Sequence, residues 1–384
     1  MKVVTVIGAR PQFIKAAAVE KAIGVFNGAS SRHRSGERIL EILVHTGQHY
    51  DYLLDGIFFE ELEIRKPDYS LGVGSGSHGK QTARMMERME PILKKEKPDG
   101  VLVYGDTNST LAGALVAAKM KIPVAHVEAG LRSYDRAMPE ETNRLLADHL
   151  STLLFCPTDQ AVRNLSKEGI KTGKENRWVI KVGDVMYDSI LLYSKLAEKR
   201  STILEDLNLF HPQSAIPPPP YYLATLHRAE NTDVPERLGS ILRALDEIGK
   251  DILVILPLHP RTRKMMKSCR LFSAFRGVRL IEPVSYLDML ALEKNARAIL
   301  TDSGGVQKEA YWLKVPCVTL RNETEWVETV ESGWNRLAGT ETRRIVREAK
   351  RIGMRRPYRK GLFGDGRAGE KIVQALVKGF GSYE

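Results

Sequence analysis

The side chains of this 384-residue chain that are suited to chemistry collect in short peptides, each following an apolar run. In the first half these are "GARPQFIK" (8–15), "TGQHYD" (46–51), "GDTNST" (105–110) and "EAGLRS" (128–133). In the second half they are "HRAEN" (227–231), "HPRT" (259–262), "EPVSY" (282–286) and "DSGGVQKEA" (302–310). "TDSGGVQKEAYWL" is the sharpest of them. Thr301 and Asp302 end a strand pattern, Ser303, Gly304 and Gly305 turn, and a helix starts at once. Free N–H groups at such a start bind phosphate, and glycines let the backbone come close to the anion. Glu309, about one turn on, suits a pair of ribose hydroxyls, or is the solvated acid of an ordinary capped helix. His227 and Arg228 beside such a site would stabilise a diphosphate leaving group. Arg10 and Lys15 hold the matching place in the first half.

The densest stretch is "HVEAGLRSYDRAMPEETNR" (126–144), which carries Glu128, Arg132, Glu140, Glu141 and Arg144 in one connection. That is more opposed charge than a connector needs. Asp106 follows the run "VLVYG" and fits either this acidic group or a helix cap before "TNST". Single peptides of this kind read as turn chemistry. Repeated after run upon run, they read as the lining of a ligand site.

Such a lining requires elements that deliver every peptide to one edge. Lys2–Ile7, Ile42–Thr46, Gly100–Tyr104, Val124–Val127 and Leu153–Cys156 are apolar without alternation, as in strands buried on both faces. Helical patterns such as "PQFIKAAAVEKAI", "GKQTARMMERMEPILKKE" and "STLAGALVAAKMK" separate them. The rhythm restarts with runs at 221–227, 251–259, 279–283, 297–302 and 316–320. The fold class expected is therefore α/β, with two Rossmann-like doubly wound halves. In such sheets ligands bind beyond the carboxyl ends of the strands. The switch between halves is placed near Gly183–Asp188, with Pro217–Pro220 leading into the second sheet. The polar segment Asn27–Glu37 reads as a surface loop.

The charge is basic, 58 Lys+Arg against 47 Asp+Glu, a formal +11. Much of the excess lies in "RRIVREAKRIGMRRPYRKG" (343–361), where Tyr358 is the single aromatic, which favours a solvated helix face over nucleic-acid binding. Cys156, Cys269 and Cys317 form no CxxC pair, and a reducing cytoplasm is expected. No run approaches the ~20 apolar residues of a membrane span, and "MKVVTVIGARP" lacks a signal-peptide layout. "GSGSHG" (74–79) matches GxGxxG but does not follow the first strand, whereas the first turn, "GARPQF", lacks the later glycines, so no dinucleotide fingerprint is supported. "HTGQH" (45–49) straddles a strand end, and no metal site is expected.

Together with "MPEETNR" (138–144) and "LFGDGRAGEKI" (362–372), these peptides resemble the non-hydrolysing UDP-N-acetylglucosamine 2-epimerases, in order and over essentially the whole chain. The resemblance implies a GT-B architecture with the active site in the cleft between two Rossmann-like domains. The first would be 1–186, joined by a C-terminal helix at about 366–384, and the second, for UDP, 187–365. It implies a homodimer, a UDP-sugar substrate and no cofactor, neither NAD nor metal. UDP would be eliminated across C1–C2 and re-added, by way of 2-acetamidoglucal, to interconvert UDP-GlcNAc and UDP-ManNAc.

The resemblance assigns proton transfer to Asp106, Glu128 and Glu140. It assigns the diphosphate to Arg10, Lys15 and His227, with Arg228 beside them. Ser303, Gly304 and Gly305 become phosphate contacts, Glu309 the ribose contact and Arg321 a further basic contact. Glu141, Arg132, Arg136 and Arg144 are read as scaffold. Thr324-Glu325-Trp326-Val327-Glu328 and Gln307-Lys308-Glu309 depart from the commonest family pattern. They resemble relatives that act on UDP-2,3-diacetamido-2,3-dideoxyglucuronic acid; Lys308 would suit a uronate or face solvent. That substrate is the alternative, and a GT-B glycosyltransferase is the alternative from another class.

Overall fold

The computed structural model describes residues 1–30, 38–48, 61–174, 177–210, 219–271, 275–352 and 357–381. Two compact units divide the chain: Met1–Leu192 with Lys360–Glu384, and Tyr193–Arg359. The division falls inside one helix, Val185–Arg200.

In the first unit, β1 (Lys2–Ile7), β2 (Leu40–His45), β3 (Tyr69–Ser70), β4 (Gly100–Tyr104), β5 (Val124–Val127), β6 (Leu153–Cys156) and β7 (Trp178–Lys181) form one parallel sheet. Its order is β3-β2-β1-β4-β5-β6-β7. Every residue of β4, β5 and β6 is buried, as strands covered by helices on both faces require. In the second unit, β8 (Tyr221–Thr225), β9 (Leu253–Pro257), β10 (Val278–Ile281), β11 (Ala298–Thr301), β12 (Cys317–Thr319) and β13 (Asn335–Leu337) run parallel in the order β10-β9-β8-β11-β12-β13. In each sheet the order reverses beside the first strand, between β1 and β4 and between β8 and β11. Side chains beyond the carboxyl ends diverge there and leave a crevice.

The chain's last helix, Ala368–Phe380, packs on Arg10–Ser30. Asp188 accepts the Gly369 N–H (2.8 Å) and so caps this helix from outside it. Burial pushes the Asp188 carboxyl up to about 6 against the pull of that hydrogen bond. The basic segment near the end contains the amphipathic helix Thr342–Lys350, with Ile345, Val346 and Ala349 buried and Arg343, Arg347 and Lys350 exposed. Among the described residues no helix is long and apolar enough to cross a membrane.

Asn27–Ser30, expected in a loop, forms the last turn of the helix Arg10–Ser30; the rest of that loop, 31–37, lies outside the described residues. The Asn27 amide binds the Ile39 N–H and carbonyl, both at 2.9 Å, which makes a polar residue useful there. Pro217 and Pro218 also lie outside the described residues, and Pro219 and Pro220 lead directly into β8.

Candidate active site

In the first unit the ends of β1, β4 and β5 are fastened together by side chains. Gln12 accepts the Gly8 and Ala9 N–H groups and donates to the Tyr104 carbonyl (2.7 Å) and Thr110 hydroxyl (3.0 Å). Gly8 has no room for a side chain, since a Cβ there would stand 1.9 Å from Thr46 Oγ1. Lys15, on the helix that follows, donates to Glu128 Oε2, and both side chains are about nine-tenths enclosed (9% and 11% exposed). Removing two charges from water costs several kcal/mol each, and the close pair offsets that. Glu128 stands at φ 73, a left-handed conformation that the surrounding strand ends must enforce.

Gly105 lies beneath this pair. At φ 62, with Glu128 Oε2 3.3 Å and Lys15 Nζ 3.4 Å from any Cβ, the position favours glycine twice over. Asp106 is the next residue. Arg144 holds its carboxylate at 2.5 Å with one arm of the guanidinium and Glu141 at 2.9 Å with the other. Glu141 also accepts the Ser133 N–H and hydroxyl and the Tyr134 N–H. Burial works against the Glu141 charge, but these hydrogen bonds and Arg144 outweigh it and hold the carboxyl below its ordinary value. Glu141 is thus a fastener for the loop 133–134. Glu140 starts the same helix, Pro139–Leu150, where the helix dipole favours an acid. Its side chain is half-buried and takes no hydrogen bond or ion pair among the described residues. Arg10 opens the helix Arg10–Ser30, and its side chain lies outside the described residues.

In the second unit Asp302, fully buried, accepts the N–H groups of His227 (3.1 Å) and Arg228 (3.0 Å) and the Asn231 amide (3.3 Å). One carboxylate thereby ties the end of β8 to the end of β11. The rings of His227 and His259 lie 5.5 Å apart. Ser303 caps the helix Gly304–Trp312, its hydroxyl 3.5 Å from the Val306 N–H. Gly304 is buried in the first turn and Gly305 is exposed beside it. Around Gly304 stand Trp326 Nε1, Glu325 Oε2 and Arg228 Nη2, all within 4 Å of where a Cβ would be.

Arg321 donates twice to Glu325 (3.1 Å each), and its Nε lies 3.1 Å from Glu230. Burial and two facing cations, Arg321 and Arg228, leave the Glu325 carboxyl below its ordinary value, the cations outweighing burial. Glu309 is buried and faces the Tyr286 hydroxyl (3.5 Å). Lys308 does not face solvent: it is 2% exposed, with its ammonium 3.8 Å from the centre of the Trp326 ring. The aromatic face offsets part of the cost of burying that charge.

These clusters can be set against known proteins. The family described as UDP-N-acetylglucosamine 2-epimerase matches residues 32–377. The chain belongs to this family. It is accordingly an epimerase, an isomerase by class. A UDP-N-acetylglucosamine 2-epimerase homolog of Methanococcus maripaludis is 53% identical over 98% of this chain and 99% of its own. The UDP-2,3-diacetamido-2,3-dideoxy-D-glucuronate 2-epimerase of Pseudomonas aeruginosa is 47% identical over 98% and 100%. The crystal structure of the Methanocaldococcus jannaschii UDP-GlcNAc 2-epimerase, in complex with UDP-GlcNAc and UDP, superimposes with a TM-score of 0.86 at 45% identity, covering 98% of this chain and all of that one. The two doubly wound units fit the GT-B-like fold of these epimerases.

Of the residues read from the sequence, Lys15, Asp106 and Glu128 come together in the first unit, with Glu140 on the helix that carries Arg144. In the second, His227, Arg228, Ser303, Gly304 and Arg321 gather around Asp302 and Glu325. Gln12, His126 and Asp148 were not singled out, and Glu325 was named only as part of a departure from the family pattern. His126 carried a signal, since it stands in β5 only two residues before Glu128. Asp148 lies in the last turn of its helix and carried none.

Proposed function

We propose that the protein interconverts UDP-N-acetylglucosamine and UDP-N-acetylmannosamine. The C2 proton is not next to a carbonyl, so direct abstraction is too slow. When a carboxylate removes it as the C1–O bond breaks, the C–H electron pair becomes the C1=C2 double bond. The bond electrons at C1 leave on the β-phosphate oxygen, giving UDP and 2-acetamidoglucal. Protonation of C2 on the opposite face and return of UDP to C1 complete the inversion. The sequence is redox-neutral and needs no nicotinamide.

The observation that carries this reading is Glu128, paired with Lys15 above Gly105, beside an Asp106 that Arg144 holds in place. Asp106, Glu128 and Glu140 supply acid and base at C2. Lys15, Arg10, His227, Arg228 and Arg321 serve the diphosphate, with Ser303, Gly304 and Gly305 as backbone contacts. Glu309 takes the ribose hydroxyls. The homodimer and the cytoplasmic placement belong to the same proposal, and light scattering reads the former.

Incubation with UDP-GlcNAc, followed by proton NMR, tests the reaction. A mixture of both UDP-sugars is expected; accumulating free sugar, or turnover only with an added acceptor, overturns it and points to a hydrolase or a glycosyltransferase. The P. aeruginosa relative and the buried Lys308 favour a second reading, the same reaction on the diacetamido uronate. The ratio of kcat/KM for the two UDP-sugars decides between them.

A further inference from the structure

His126, in β5, is enclosed completely, and both of its ring nitrogens are engaged. Nε2 lies 2.7 Å from the Gly105 carbonyl oxygen. A carbonyl only accepts, so Nε2 carries a proton and donates it. Nδ1 lies 2.7 Å from Asp148 Oδ1, within hydrogen-bond distance. The other oxygen of Asp148 accepts the Gly130 N–H (3.1 Å) and Arg132 (2.7 Å). Arg132 continues to Glu168 through two further hydrogen bonds, 2.7 and 2.6 Å.

The two bonds of the ring each end on a segment that presents a candidate acid. Gly105 directly precedes Asp106, and its left-handed turn is also held by its N–H on the Val127 carbonyl (3.0 Å). Asp148 lies on the helix Pro139–Leu150, which carries Glu140 in its first turn and Arg144, the holder of Asp106, in its middle. His126 itself stands two residues before Glu128. An apolar side chain would fill the same space without the need to satisfy two polar atoms. A fully satisfied buried polar group instead fixes one arrangement of the backbones around it.

We infer that His126 is a positioning residue: its hydrogen bond to the Gly105 carbonyl sets the Asp106 carboxylate against Glu128, while its other nitrogen secures the helix that carries Glu140 and Arg144. The catalytic consequence rests on the epimerase reading given above; the geometric one does not.

Two variants divide the two bonds. The glutamine amide nitrogen reaches about as far as Nε2 and the asparagine nitrogen about as far as Nδ1. His126→Gln therefore keeps a donor for Gly105, and His126→Asn keeps one for Asp148. His126→Asn should lower kcat about 10²-fold, the loss expected of a catalytic group misplaced by ~1 Å. KM and the affinity for UDP should stay within about twofold, because the bond made to ligand is untouched. His126→Gln should recover most of the loss. Hydrogen exchange across residues 104–111, followed by mass spectrometry, should quicken in His126→Asn but not in His126→Gln.

Equal rate losses and equal exchange in the two variants would overturn the proposal and leave the ring as core filling. If the wild-type protein does not invert C2, the epimerase reading fails, yet the exchange comparison still decides the role of His126. Where neither variant folds, Asp148→Asn carries the test, since it leaves the ring and its Gly105 bond in place. Exchange over 139–150, the helix that Asp148 ties to the ring, should then quicken more than exchange over 104–111; no change over 139–150, or equal quickening in both segments, overturns the proposal.

Discussion

Arg144→Lys separates the placement of Asp106 from the charge balance around it. Arginine presents a fork, one arm to Glu141 and one to Asp106. Lysine keeps the charge but offers a single ammonium that cannot serve both. Glu141 retains three other donors, the Ser133 N–H (3.0 Å), the Ser133 hydroxyl (2.8 Å) and the Tyr134 N–H (3.0 Å), so its loop should survive. The stability loss is then that of one charge-assisted hydrogen bond, about 1.5–3 kcal/mol.

Asp106 is placed differently. Its side chain is 34% exposed, and Arg144 is its carboxylate's partner among the described residues. Freed from the fork, it should lose about 10²-fold in rate, or ~2.7 kcal/mol in the barrier. Urea unfolding gives the first quantity, and initial rates at saturating UDP-GlcNAc the second. KM should stay within about threefold. Arg144→Lys combined with Asp106→Asn should be no slower than Asp106→Asn alone, because the arginine acts through that carboxylate. Additive losses in the double variant, or a kcat within about threefold of wild type, would refute the reasoning.

Gly105→Ala should destabilise the fold by about 1–2 kcal/mol for its left-handed backbone and lower kcat by crowding Lys15 and Glu128; unfolding curves and rates measure both. Asp302→Asn sets an amide against three N–H donors, and should cost about 2–4 kcal/mol and weaken UDP binding in calorimetry. Glu20 has its carboxyl pushed from 4.5 to about 7, first by burial and then by Glu41, against the pull of Arg65. Its proton is bound more tightly in the folded state, so the stability it adds is complete below pH 4.5 and lost as pH rises through about 7. Discounted for partial exposure to solvent, Glu20→Gln should raise stability by roughly 1–2 kcal/mol at pH 8 and by almost nothing at pH 4; equal effects at both would contradict the assignment.

Much of the site was legible because chemistry at the end of a buried parallel strand leaves a local mark. Apolar runs such as "VLVYG" end at Gly105 and Asp106, and "RAILTD" ends at Asp302. The edge strands were harder. β3, β7 and β13 span two to four residues each and alternate little, so no period identifies them. The extent of the first helix was missed because Asn27 looks like a loop residue until the Ile39 backbone supplies its partner. Long-range polar partners were not legible at all. Arg321 reads as a cation awaiting phosphate, and only the fold brings the distant Glu230 against it. The pairing of His126 with Asp148, twenty-two residues away, likewise depends on how a helix lies on its strand.

In the proposed reaction, carboxylates of the first unit move the C2 proton of a UDP-sugar. Deuterium incorporation at C2 in D2O, followed by NMR for the wild-type protein and for Glu128→Gln, tests it most directly. Deuterium at C2 of the epimerised UDP-sugar is expected with wild type, and loss of incorporation in the variant with UDP affinity within about threefold. Inversion without deuterium, or undiminished incorporation in Glu128→Gln, would contradict it.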